Sequence, residues 1–424
     1  MRFAVLGLGP ALVFSSVLLG SPQAAPAAGG QASEGVTDRQ IVVGMSAPFT
    51  GSSRSLGIEL YRGSMAYLAE INRAGGVHGR TIVLKAYDDG YQPDQAIKNT
   101  MKLMQEDRVF LLFDYVGTPT VTRVLPLLKK FDNLHFRLFF PFTGAQPQRE
   151  PPYDRLAVNL RASYRQETEG LVANFLSIGR ARIGVFYQAD AYGRSGWVGV
   201  REALARRSQK MAGEATYTRG AKYTESFDRQ VAMLQEVHPD AIISIGAYAA
   251  CAGFIRDARK AGLTVPIANV SFVGSESMLE LLVAAGKEDG HDYTANLVNS
   301  QVVPSYENPA VPVVQEYRAL MDRYNPAIPA GLAAADYRPL RYSFVSLEGF
   351  LNAKLLVEVL KRMGPHPART QIEATVAGID GFELGMGRSI SFAGQRNQGS
   401  DAIYYTTVEH GRFVPIRDWK VWNK

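Results

Sequence analysis

Cysteine is nearly absent: Cys251 is the single one in 424 residues. No intramolecular disulfide can form, so the fold must rest on its core, which a chain of this length can readily bury. Histidine is scarce too, six in all, and no pair stands at the spacing of zinc ligands. The cationic excess is only +6 and is dispersed along the chain, unlike the basic stripe of a nucleic-acid binder. Beyond the first thirty or so residues no apolar run is long enough to cross a bilayer. The Gly-x-Ser-x-Gly elbow and the Walker loop are missing, as is the glycine fingerprint of a dinucleotide site after the first strand. Cys251 sits in Tyr-Ala-Ala-Cys-Ala-Gly on a small-residue helix face, which suits a buried structural thiol better than a nucleophile. No catalytic residue, metal or cofactor is expected.

What is present begins with an export signal. Arg2 gives a positive start, residues 3–19 are apolar and uncharged, and residues 21–30 are small, with Ala25-Pro26-Ala27 as a cleavage site. That order reads as a signal peptide over residues 1–27, removed on secretion. The apolar part is short for a membrane span and is interrupted by Pro10. A secreted chain without disulfides fits the bacterial periplasm.

The rest is organised around residues 41–57. A short β-branched run (41–45) reads as a buried strand, and Pro48, Gly51 and Gly57 then break regular structure. A helical spacing follows over 58–72. Strand, loop and helix recur: strands are expected at 81–87, 109–116 and 138–140, with helices at 93–107 and from about 120 through 128. The pattern restarts beyond a connecting strand at 156–161. Helices are expected at 167–178, 197–208, 227–236 and 249–261, and strands at 182–187, 241–245 and 266–270. A second connecting strand is read at 298–303, helices at 312–324 and 343–363, and a terminal hairpin at 403–408 and 412–416. This is an α/β fold of two lobes with parallel sheets covered by helices. The lobes are expected at 38–158 with 299–384, and at 159–298 with 385–424, hinged near Asn159 and Gln301.

In such sheets ligands collect at the carboxyl ends of strands. The loops there are rich in hydroxyls, glycine and aromatics: 46–57, 117–120, 143–145, Tyr192, Tyr248 and 271–275. Hydroxyls and free N–H groups suit a small polar head, and Phe142, Tyr192 and Tyr248 would wrap an apolar body. Asp88-Asp89 reads as a turn with a helix cap, and Glu167 as a solvated helix start.

Several motifs carry a resemblance: Val43-Gly-Met-Ser-Ala-Pro-Phe-Thr-Gly, Asn72-Arg-Ala-Gly-Gly-Val-His-Gly, Tyr87-Asp-Asp-Gly-Tyr-Gln-Pro, Phe186-Tyr-Gln-Ala-Asp-Ala-Tyr-Gly and Ala258-Arg-Lys-Ala-Gly-Leu. In this order, and over nearly the whole chain after the signal, they resemble the leucine/isoleucine/valine-binding type of periplasmic solute-binding protein, the receptor of an ABC importer. The stretches Phe142-Thr-Gly-Ala145 and Asn159-Leu-Arg-Ala-Ser-Tyr-Arg165 resemble one branch of that family. The resemblance implies two Rossmann-like lobes joined by a three-crossover hinge, a small-molecule ligand between them and closure on binding. It also implies permease and ATPase subunits as partners, and a monomer. A ligand carboxylate would be held around Thr118 and Thr143, with Tyr192 and Tyr248 closing from the second lobe. Leu56 falls where relatives place an aromatic. Ser271 stands where amino-acid binders carry an acidic counter-charge to the ammonium, which favours a carboxylate, amide or aromatic acid lacking that ammonium. A sensor feeding a signalling partner is the alternative reading of the same lobes.

Overall fold

The computed structural model describes residues 1–4, 6–7, 33–329, 331–332, 336–394 and 396–423. From residue 8 onward, the expected signal segment lies outside the described residues.

The first half runs β1 (Gln40–Ala47), α1 (Arg54–Arg73), β2 (Thr81–Asp88), α2 (Pro93–Gln105), β3 (Leu111–Phe113), α3 (Thr118–Lys130), β4 (Leu138–Phe139) and β5 (Ala157–Val158). The second runs α4 (Tyr164–Ser177), β6 (Ile183–Gln188), α5 (Ala191–Ala205), β7 (Gly213–Tyr217), α6 (Asp228–Gln235), β8 (Ala241–Ile245), α7 (Tyr248–Lys260), β9 (Ile267–Asn269), α8 (Ser275–Asp289) and β10 (Leu297–Gln301). The tail adds α9 (Pro312–Tyr324), α10 (Phe344–Met363), α11 (Ile372–Ala377), β11 (Phe382–Glu383), β12 (Ser389–Ile390), β13 (Tyr404–Glu409) and β14 (Arg412–Pro415).

Two sheets result. The first is five-stranded and parallel in the order β2-β1-β3-β4-β5. The second, seven-stranded, has the order β14-β13-β10-β9-β8-β6-β7, parallel from β7 to β10 and closed by the antiparallel β13–β14 hairpin. Counted from its own first strand, β6, the parallel part repeats the order of the first sheet. Strands β3, β6 and β8 are buried along their whole length, as expected of strands covered by helices on both faces. The expected α/β fold of two lobes is present.

Several local expectations are corrected. The strand read at 298–303 as a connector is β10, a full member of the second sheet, so the expected junction at 299 cuts a paired strand. The junction at 385 likewise falls between β11 and β12, which pair with each other. Helix α5 begins at Ala191, six residues before the expected start, because the Asp190 side chain caps it by accepting from the Tyr192 N–H. Strand β3 covers only Leu111–Phe113 of the apolar run at 109–116, because Asp114 then turns the chain with φ +53°.

Helices α1 and α10 cross in the first lobe at a pair of glycines. A Cβ on Gly63 would stand 1.8 Å from the Ser346 carbonyl oxygen, and one on Gly349 2.1 Å from that of Leu60. The approach also lets Ser64 Oγ donate to the Gly349 carbonyl at 2.9 Å. Alanine would ordinarily gain about 1 kcal/mol over glycine inside a helix. Here the clash is with backbone, so overpacking of about 1–3 kcal/mol or more wins. Gly349→Ala is expected to lower the thermal midpoint measured by circular dichroism, and an unchanged or raised midpoint would contradict this packing.

Candidate functional site

The matching strand order marks the crevice where open α/β sheets take ligands. In each, the order reverses beside the first strand, between β1 and β3 and between β6 and β8, and the loops leaving these carboxyl ends line the crevice. The expected residues follow β1 (Leu56), β3 (Thr118), β4 (Phe142, Thr143), β6 (Tyr192), β8 (Tyr248) and β9 (Ser271). They therefore come from corresponding strands of both lobes.

They gather in two groups. In the inner group Thr118 and Thr143 share a hydrogen bond between their hydroxyls at 2.6 Å, and both are buried. The Phe142 ring lies 5.2 Å from Phe272 of the other lobe, and Tyr192 lies 4.6 Å from the same ring. Tyr192 also meets Tyr164 at 5.2 Å, and its hydroxyl donates to the Gly246 carbonyl at 3.4 Å. In the outer group Tyr248 OH accepts from the Ser55 N–H at 3.4 Å, across the cleft. Ser55 Oγ meets Ser277 Oγ at 2.5 Å nearby. Leu56 reaches the loop after β9: a Cβ on Gly274 would be 2.7 Å from its Cδ2 and 3.6 Å from the Tyr248 ring. At φ +76° that position favours glycine in any case. The lobes are thus in direct contact.

Ser271 is placed differently from a free ligand group. Its N–H and hydroxyl both donate to Glu167, at 2.8 and 3.0 Å, and its hydroxyl accepts from Arg161. Glu167 is correspondingly not a solvated helix start. It is fully buried and also accepts from Ser300 Oγ at 2.6 Å. The helix start itself is well formed: Ser163 and Gln166 make a capping box, which places Tyr164 and Glu167 one turn apart on the inward side of α4. The Asp88-Asp89 turn is present, but neither side chain caps α2. Asp88 accepts from the Phe49 N–H at 2.8 Å and holds the loop after β1, while Asp89 accepts from Ser46 Oγ and the Tyr91 N–H. Burial pushes the Asp89 carboxyl up to about 7. Glu276, in the first turn of α8, accepts from the Phe344 N–H at 3.2 Å, and burial raises it to about 8. Cys251 is buried, accepts from Ser244 Oγ, and is pushed by desolvation to about 12, the state of an inert thiol.

Sequence reasoning missed the residue at the centre. Arg161, in the crossover between β5 and α4, is 2% exposed. Its guanidinium lies 4.8 Å from the Phe142 ring centre and 5.8 Å from that of Tyr164. It approaches Glu167 of the second lobe at 3.5 Å and Glu348 of α10 in the first lobe at 3.4 Å. Its Nε and Nη1 atoms have no hydrogen-bond partner. Burial works against the cation, but the attraction of Glu348, Tyr164 and Glu167 outweighs it and the group stays protonated. Arg149 fastens the same corner, donating to the carbonyls of Ala145 at 2.6 Å and Arg161 at 3.1 Å and to Gln398 Oε1 at 2.7 Å. Phe272, inside the expected loop 271–275, and Tyr91 lie 6.1 Å apart across the cleft, and neither side chain is singled out by the sequence. An arginine flanked by apolar residues at a crossover was the available signal for Arg161.

Among the described residues no group of three or more His, Cys, Asp or Glu is arranged to hold a metal, and no helix is long and apolar enough to cross a membrane. The family profile described as periplasmic binding protein matches residues 40–412. An amino acid binding protein of Pseudomonas aeruginosa is 24% identical over 53% of this chain, and the match spans 58% of that relative. The crystal structure of a possible leucine/isoleucine/valine-binding protein from Rhodopirellula baltica superposes with a TM-score of 0.78 at 28% identity, covering 90% of this chain and 97% of that one. A substrate-binding periplasmic protein from Ralstonia solanacearum gives 0.75 at 26% identity, covering 87% and 98%. With the repeated strand order of the lobes and the profile in agreement, the chain belongs to the periplasmic binding protein family.

Proposed function

We propose that the protein is the substrate-binding receptor of an ABC importer, working in the periplasm after removal of its signal segment. It captures a small organic ligand between its lobes and delivers it to a permease driven by ATPase subunits. The observation that carries this reading is the shared aromatic and hydroxyl lining. Phe272 of the second lobe packs against Phe142 and Tyr91 of the first, and Thr143, next to Phe142 in the chain, pairs its hydroxyl with that of Thr118. Each lobe supplies only part of this lining. A ligand that touches both gains its full contacts only in the closed state, so binding favours closure. Leu56, Thr118, Phe142, Thr143, Tyr192, Tyr248 and Ser271 are the proposed ligand-facing set, with Ser271 acting through Glu167 and Arg161. The amino-acid relatives support a ligand of that size class, and no reacting pair is needed for its capture.

Isothermal titration against amino acids, amides and aromatic acids tests the reading, together with mass spectrometry of whatever the protein releases on denaturation. One class is expected to bind at one ligand per chain. Failure of every class to bind, with no released molecule, would contradict it. Phe272→Ala removes the ring that both lobes share and is expected to weaken that binding about tenfold, or 1.4 kcal/mol, with the far-ultraviolet spectrum unchanged. Undiminished affinity would place the ligand elsewhere.

A further inference from the structure

Arg161 is buried with Nε and Nη1 lacking a hydrogen-bond partner; Nε is also unpartnered in Arg137, Arg165 and Arg259, so the feature that sets Arg161 apart among the described residues is Nη1. The open Nε and Nη1 belong to the group that lies over Phe142, in the inner part of the proposed ligand site. Glu348 faces Nη1 at 3.4 Å without hydrogen-bond alignment. Ser271 and Ser300 already engage Glu167 on the other side. We propose that the site takes a small organic anion carrying no charged amine, its carboxylate accepting from Nη1 of Arg161 in the place of Glu348, which takes a proton from solvent. This inference rests on the receptor reading above and names its ligand class.

The asymmetry of the pair decides the sign. An ammonium brought to Glu348 would stand within a few ångströms of a guanidinium that cannot give up its charge. A carboxylate brought to Arg161 displaces only Glu348, which can be neutralised. Burial pushes Glu348 up to about 7, with Arg161 and Arg149 pulling it down and Glu167 pushing it up. Among the described residues Asp114, after β3, is a further titratable group that faces it; its oxygens accept from Ser64 and Asn352, and burial holds it well above the usual carboxylate range. A guest carboxylate would raise Glu348 further, so anion binding takes up protons and strengthens as pH falls through about 7.

Titration calorimetry with two matched series tests this: isocaproate, isocaproamide and leucine, and hydrocinnamate, hydrocinnamamide and phenylalanine. In the series that binds, the acid is expected to bind at least about tenfold more tightly than its amide or amino acid. Its affinity should fall about tenfold from pH 6 to pH 8, with proton uptake seen as a dependence of the heat on buffer. Glu348→Gln is expected to keep the acid's affinity and abolish its pH dependence, and Arg161→Gln to erase the preference for the acid. Tighter binding of the amino acid, or a pH dependence unchanged in Glu348→Gln, would overturn the inference and leave the receptor reading standing. If Arg161→Gln does not fold, the Glu348→Gln profile decides alone. No binding in either series, with no molecule released from the purified protein, would overturn both.

Discussion

A single guanidinium is enclosed where the chain passes from one lobe to the other, and its charge has to be met from both sides. Glu348 comes from α10 of the first lobe and Glu167 from α4 of the second. A buried cation deprived of one such partner is costly, on the order of several kcal/mol. The arrangement of the lobes in contact is therefore coupled to the electrostatics of Arg161 as much as to the packing of Phe272 on Phe142. The hinge capping box, the Arg149 staple and the hydroxyls of Ser271 and Ser300 all serve to hold these charges where they are.

The two parallel sheets supply the frame. Because each repeats the same strand order, each points a set of loops at the crevice from its own reversal of strand order. The proposed ligand-facing side chains lie two to nine residues past the strand ends, while polar strand residues such as Ser46 and Ser300 hold the carboxyl groups of Asp89 and Glu167. This division explains why loops so short gather hydroxyls and aromatics, and why the strands between them read as nearly uninterrupted apolar runs.

Much of this was legible in the sequence. Alternating apolar runs and helical spacings gave the lobes, and turn chemistry directly after β1, β3, β4, β6, β8 and β9 marked the site loops. What the sequence hid was set by distant partners. Glu167 looks like an exposed helix-start acid until Ser271 and Ser300, more than a hundred residues away, are brought to it. Helix α8 was not foreseen, because its first turn carries serines and follows Gly274, which reads as loop. Strand β10 shows nothing locally that says which sheet it joins; that is decided by pairing with β9 and β13. Arg161 was visible as a residue but not as a buried one, since its burial depends on both lobes at once.

The central claim is that the two lobes hold a guest between them and close over it. Small-angle X-ray scattering of the protein stripped of any bound molecule, and again at saturation with the molecule it releases on denaturation, tests this most directly. The account predicts a smaller radius of gyration and a shorter maximum dimension in the saturated sample. Superimposable profiles, at a concentration where calorimetry shows full occupancy, would contradict it.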